Sequence, residues 1–76
     1  MNQSRETGRI VAWFSTKAFG FVRPDIAGRD IFVHVSQSQS GDLKPGTRVA
    51  FTRAHTDRGP QANDVVSVEQ PAQLRL

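Results

Sequence analysis

The chain's 76 residues allow one small domain, near the lower limit at which a hydrophobic core suffices without staples. Cysteine is absent, which excludes disulfides and thiolate metal sites; no apolar stretch is long enough to span a bilayer or serve as a secretory leader, so a soluble, cytoplasmic protein is expected. Ten Lys and Arg against seven Asp and Glu give +3, a surplus that points only modestly to an anionic partner.

Residues 1–7 are polar and aperiodic and read as a flexible lead-in. Gly8 to Phe14, with Arg9-Ile10-Val11-Ala12-Trp13-Phe14, is rich in β-branched and aromatic types that suit a half-buried pleated surface, and is the first expected strand. Ser15-Thr16 reads as a tight turn, and a second strand runs from Lys17 to Arg23, stopped by Pro24, which lacks a ladder donor. Turn formers fill 24–29 and a third strand spans Asp30 to Val35. Ser36 to Gly46 is a polar connection in which Leu43 is the one strong apolar anchor. Thr47 to Arg53 alternates and reads as a fourth strand, His55 to Pro60 as a loop, and Gln61 to Val68 as a fifth strand. Pro71 ends regular structure, leaving 69–76 as a mobile tail.

Five evenly spaced strands with no convincing helix argue for an all-β barrel or sandwich over residues 8–68. A closed barrel is favoured because it removes open edges and encloses a core from few residues. The core is expected to use Val11, Val22, Ile31, Val33, Val49 and Phe51, with Val65 or Val66 from the last strand. Gly20 is expected where the strand bends.

Residues two apart on a strand share a face, so Phe19 and Phe21 point one way, as do Phe32 and His34. The intervening Gly20, Val22, Ile31, Val33 and Val35 make an aliphatic opposite face. Leaving three phenyl rings exposed forgoes burial worth roughly 1.5–3 kcal/mol each, so a use for that surface is expected. Stacking of bases on aromatic rings contributes roughly 1–3 kcal/mol per base and tolerates any base. Lys17, Arg23, Arg29 and Arg58 sit beside or between the ring strands, where cations track phosphates. Duplex is a poor match, since its bases are already stacked and no basic helix is present to enter a groove.

The segment Lys17-Ala18-Phe19-Gly20-Phe21-Val22 fits the ribonucleoprotein-1 pattern except that Ala18 replaces its first glycine. Together with Trp13-Phe14, Asp30-Ile31-Phe32-Val33-His34-Val35-Ser36 and Arg58-Gly59-Pro60-Gln61-Ala62, it resembles the bacterial cold-shock domain over about residues 8 to 68. The resemblance implies a five-stranded antiparallel oligonucleotide-binding (OB-fold) barrel that binds single-stranded RNA and DNA, pyrimidine-rich tracts among them. It further implies action as an RNA chaperone or regulator of transcription and translation, without a cofactor. The family's stacking residues fall on Phe19, Phe21, Phe32 and His34, and on Trp13 if the first strand aligns through its Trp-Phe pair. Loop contacts fall on Lys17 and Arg58, with Asp30 a polar contributor near the platform. A monomer is expected, with a strand-exchanged dimer as the alternative, and no membrane partner.

Departures from the family pattern bear on affinity. Ala12 stands where a lysine commonly precedes the tryptophan, Val35 where an aromatic commonly follows the histidine, and the connection after Ser36 is shorter and lacks an aromatic. Fewer stacking partners predict weaker binding or a shorter footprint. Trp13 also lies four residues before Lys17, where the family usually has five. Either the hairpin is one residue shorter and Trp13 stays outward, or the ungapped alignment holds and Trp13 turns into the core; the outward placement is expected, because Trp13-Phe14 is itself the family's pair. Against these readings stand a two-sheet sandwich with the three phenylalanines as core, a protein-interaction module using the aromatic face, and an OB barrel dedicated to ribosomal RNA or translation initiation. Catalysis is not expected, since the two histidines are far apart and no nucleophile elbow or phosphate-cradling loop is present.

Overall fold

The computed structural model describes residues 5–26 and 28–68. Five strands, β1 (Glu6–Phe14), β2 (Phe19–Pro24), β3 (Ile31–His34), β4 (Arg48–Thr56) and β5 (Gly59–Ser67), close into a barrel in the order β1-β2-β3-β5-β4. A 3-10 turn, Val35–Gln37, follows β3. Four of the pairings are antiparallel, and β3 meets β5 in parallel at Phe32 and Gln61, with a second parallel bridge between Ser38 and Val65. That seam needs a long crossover, which the intervening β4 supplies. The barrel therefore has no open edge to protect.

The core consists of Ile10, Val22, Ile31, Val33, Leu43, Val49, Phe51, Ala62 and Val65. Val22, Ile31, Val33, Val49, Phe51 and Val65 occupy the places expected from alternation. Val11 does not. The β1–β2 register runs Ile10 opposite Val22 and then Ala12 opposite Phe21, so Val11 is the extra residue of a β-bulge. Up to the bulge Gly8 and Ile10 point inward; beyond it the parity flips, and Ile10 takes the core position expected of Val11. Gly46 N–H donates to the Ile10 carbonyl at 2.7 Å and Ile10 N–H to the Thr47 carbonyl at 2.9 Å, which fixes the end of the β3–β4 connection against the bulge. Leu43 drops from that connection into the barrel.

A second bulge lies on β5. Ala50 pairs with Val66 and Thr52 with Asn63, leaving an extra residue on β5, and Asp64 there adopts a left-handed backbone with φ 50°. This irregularity turns both Ala62 and Val65 inward, and leaves Val66 half-buried.

The largest differences from the expected boundaries lie in three places, with the other strand ends moving by one residue at most. β1 begins at Glu6, inside the segment expected to be a lead-in, because Glu6 to Arg9 pair with Phe51 to Arg48 of β4 and the Glu6 carboxylate takes two hydrogen bonds from Arg53 at 2.7 and 2.8 Å. The β4–β5 connection is a two-residue turn, Asp57-Arg58, instead of a six-residue loop: Thr56 Oγ1 accepts the Arg58 N–H and donates to the Gly59 carbonyl, and Gly59 supplies a φ of 118°. The β1–β2 turn spans Ser15 to Ala18, so Lys17 lies in the turn and not on β2. The expected lead-in at 1–4 and the expected tail at 69–76 lie outside the described residues. No helix among the described residues is long and apolar enough to cross a membrane.

Candidate nucleic-acid interface

The antiparallel registers sort the outward side chains into rows. Phe14 of β1 lies opposite Phe19 of β2, which lies opposite His34 of β3; Ala12 lies opposite Phe21, which lies opposite Phe32. Partners across an antiparallel pair share a face, so four rings gather on one side of β1, β2 and β3. Their centroids are 5.2 Å apart for Phe14 and Phe19, 5.5 Å for Phe19 and Phe32, 5.9 Å for Phe19 and Phe21, and 6.1 Å for Phe21 and Phe32. These separations and tilts are those of ordinary edge-to-face and offset ring contacts. Phe19, Phe21 and Phe32 are half-buried, while Phe14 is 45% exposed. None of the four belongs to the core, which excludes the sandwich-core reading.

Trp13 is not on this face. It pairs with Gly20, whose inward position is buried, and it packs against the core cluster. Its indole N–H donates to Asp42 Oδ1 at 3.1 Å, tying the ring to the β3–β4 connection. The expected outward placement is thus corrected: the bulge at Val11 inverts the parity of the strand end, Trp13 turns inward, and Phe14 takes the outward place. Gly20 is explained by the same contact, since a Cβ there would run into Trp13 Cε3 and the Ala12 carbonyl. The bend expected at Gly20 is instead a close approach of an aromatic ring.

His34 is exposed at the end of β3. The Ser36 N–H donates to His34 Nδ1 at 3.1 Å, and the Ser36 hydroxyl lies 3.0 Å from the same nitrogen. A backbone N–H only donates, so Nδ1 is unprotonated and the neutral ring carries its proton on Nε2. That leaves one donor at the rim of the ring array.

Cations flank the array on two sides. Lys17 is exposed in the β1–β2 turn, two residues from Phe19, and Arg58 is exposed at the tip of the β4–β5 hairpin. Phe32, Thr56, Arg58, Gly59, Pro60 and Gln61 line an open cavity of about 250 Å³. It combines a ring wall with polar and cationic groups, and Gln61 reaches it because the parallel seam sets it beside Phe32. Neither Lys17 nor Arg58 has a carboxylate within ion-pair distance among the described residues. Asp30 differs: Arg23 Nε donates to Oδ1 at 2.9 Å and Nη2 to Oδ2 at 3.4 Å. The structure thus gathers Phe19, Phe21, Phe32, His34 and Asp30 on one face, with Lys17 and Arg58 at its margins, and removes Trp13. Sequence reasoning missed Phe14 and Gln61, because a bulge and a parallel seam set their positions.

The 'Cold-shock' DNA-binding domain model matches residues 6–68. The chain belongs to the cold-shock domain family of nucleic-acid-binding proteins. Cold shock-like protein CspA of Bordetella pertussis is 39% identical over 64 residues, spanning 79% of this chain and 94% of its own length. Cold shock protein CspV of Vibrio cholerae is 44% identical over 62 residues, spanning 76% and 89% respectively. Among solved structures, a Drosophila Unr chain described as CSD456 superposes with a TM-score of 0.77 at 22% identity, covering 97% of this chain, which spans 30% of that longer one. That last likeness bears on the fold alone, and the closed five-stranded barrel agrees with it.

Proposed function

We propose that this cold-shock domain binds unpaired RNA and DNA by stacking bases on Phe14, Phe19, Phe21 and Phe32, and acts as a passive RNA chaperone or regulator of transcription and translation. The observation that carries this reading is the contiguous cluster of four phenyl rings held outside the core on one face of β1, β2 and β3. Each ring offers a flat surface to any base. His34 Nε2–H supplies a hydrogen-bond donor beside the rings, and Lys17 and Arg58 track phosphates at either margin. The cavity between Phe32 and Arg58 accepts a base edge against Gln61.

The mechanism requires no bond-making. Ligand that binds only the unpaired state stabilises that state by mass action, so a hairpin in equilibrium with its open form shifts toward the open form as protein is added. No nucleotide hydrolysis enters. Pyrimidine-rich single strands are the proposed preferred ligands, and a monomer the binding unit.

Phe19→Ala and Phe32→Ala are each expected to lose about 1–3 kcal/mol of binding to fluorescently labelled oligothymidine while keeping the far-UV spectrum of the barrel. Wild-type affinity in either folded variant would place the binding face elsewhere. The protein-interaction reading separates by salt: counterion release makes oligonucleotide binding fall steeply as salt rises, whereas docking on an apolar patch changes little.

A further inference from the structure

Beyond the rings, the same face carries a row of arginines that base stacking leaves unused. Arg9 of β1 lies directly opposite Arg23 of β2 on one side and Arg48 of β4 on the other. Like charges in directly opposed positions are destabilising. Two of the three are offset by carboxylates: Arg48 meets Asp25 through two contacts of 3.1 Å, and Arg23 meets Asp30 at 2.9 and 3.4 Å. Arg9, exposed between them, has no carboxylate within ion-pair distance among the described residues.

The row adjoins the ring array. Alternation along β2 puts Arg23 on the face of Phe19 and Phe21, and Asp30, immediately before β3, precedes Phe32 by two residues. Two residues of strand advance about 7 Å, comparable to the reach from one phosphate to the next in an extended single strand. Asp30 engages the Nε and one Nη2 hydrogen of Arg23. A guanidinium has five donors, so three stay available, both of those on Nη1 among them. Arg23 can therefore hold Asp30 and a phosphate together.

We propose that Arg9 and Arg23 form a phosphodiester-binding edge for the part of a single strand that runs past Phe21 and Phe32, with Asp30 a positioning residue that fixes the Arg23 fork. This rests on the base-stacking reading above. The ligand is single-stranded nucleic acid because the anionic contact continues a platform for bases, and the three arginines outnumber Asp25 and Asp30, the two carboxylates paired with Arg48 and Arg23.

The test uses the full chain and oligothymidines lengthened one nucleotide at a time, with Arg9→Gln, Arg23→Gln and Phe32→Ala. Both arginine variants are expected to bind the shortest oligomers like wild type and to lose roughly three- to tenfold on the longer ones, each lowering the slope of log K against log salt by about 0.7. Phe32→Ala is expected to lose affinity at every length. Arginine variants with wild-type affinity and salt slope at all lengths would overturn the edge while the platform stands. The converse, losses in the arginine variants with a silent Phe32→Ala, would overturn the platform and keep the edge; absence of binding by wild type would overturn both. Asp30→Asn is expected to alter binding of long oligomers only when Arg23 is present. An equal loss in the Arg23→Gln background would make Asp30 a direct contact and refute its positioning role.

Discussion

Ala18→Gly should make the barrel more stable, an unusual direction for a substitution that removes a methyl group. Ala18 closes the β1–β2 turn at φ 63°, where its N–H donates to the Phe14 carbonyl at 2.8 Å and its own carbonyl accepts the Val35 N–H at 2.9 Å. Those two bonds tie the turn to the end of β1 and to the 3-10 turn after β3, so the residue cannot relax into a right-handed conformation without breaking them. An L-residue in the left-handed region costs about 1–2 kcal/mol, which glycine avoids. Two effects oppose the gain. Glycine frees the unfolded chain by about 0.4–1 kcal/mol, and the half-buried methyl forfeits about half of the roughly 0.8 kcal/mol of a buried one. The net is a stabilisation of about 0.5 kcal/mol, or a rise in Tm of about 2–4 °C for a domain of this size. Ala18→Val is the opposing control: a branched Cβ is strongly disfavoured at positive φ, and its Tm should fall. Calorimetry on the three proteins decides the matter. If the glycine variant melts at or below wild type while the valine variant is neutral, the turn does not hold residue 18 left-handed and the strain argument fails.

Other consequences concern the face assignments and the ion pairs. Gly20→Ala should destabilise the fold by roughly 1–3 kcal/mol, because its Cβ meets the Trp13 ring and the Ala12 carbonyl; a urea titration showing an unchanged midpoint would refute the inward placement of Trp13. Saturating oligothymidine should leave Trp13 emission nearly unaltered, whereas a reporter moved outward by Trp13→Phe with Phe14→Trp should be quenched. Hydrogen bonding from Arg53 holds the Glu6 carboxyl below its ordinary range against the opposing effect of burial, and Thr7 followed by Arg48 does the same for Asp25. A carboxylate with a lowered folded-state pKa contributes stability that is complete above its unfolded value, about pH 4, and vanishes as pH falls through the folded value. Tm should therefore drop on acidification below about pH 4, and Glu6→Gln should flatten part of that slope while lowering Tm at neutral pH; parallel pH profiles for the two proteins would count against the Glu6–Arg53 pair.

Much of the barrel was legible because period-two alternation is strong wherever a strand is regular. Val22, Ile31, Val33, Val49 and Phe51 read as inward and are inward; Phe19, Phe21 and Phe32 read as outward and stand outside the core. The failures cluster at bulges and turns. Val11 and Ile10 are adjacent and chemically alike, so nothing in their side chains marks which one is skipped by the ladder. Ala62 carries little apolar signal as a small residue, although the β5 bulge at Asp64 sets both it and Val65 inside. The β4–β5 connection looked like a long loop because Gly59-Pro60 resembles a break, but Thr56 caps a two-residue turn and lets pairing continue to Gly59. Ala18 was visible in the sequence as the substituted glycine of a motif; only the backbone shows that the glycine conformation survives the substitution.

Because Trp13 turns inward, the ungapped alignment holds and the first hairpin keeps its length. A regular strand fixed at its N-terminal end, with Gly8 and Ile10 inward, would turn Ala12 and Phe14 inward as well. Here the strand is fixed at both ends: Glu6 to Arg9 by pairing with β4, and Phe14 by the turn bonds to Lys17 and Ala18. The extra residue at Val11 reconciles the two, which sends Ile10 inward on one side of the bulge and Trp13 inward on the other. The outward positions that remain on the distal half of β1 are Ala12 and Phe14. Ala12 stands opposite Phe21 and adds no ring to the middle row, while Phe14 adds one to the row nearest the turn, against Phe19. The aromatic surface is thereby displaced toward the β1–β2 turn, next to Lys17, and away from the arginine row at the other end of the same strands. Between the two ends, at Ala12, Phe21 and Phe32 alone provide ring surface.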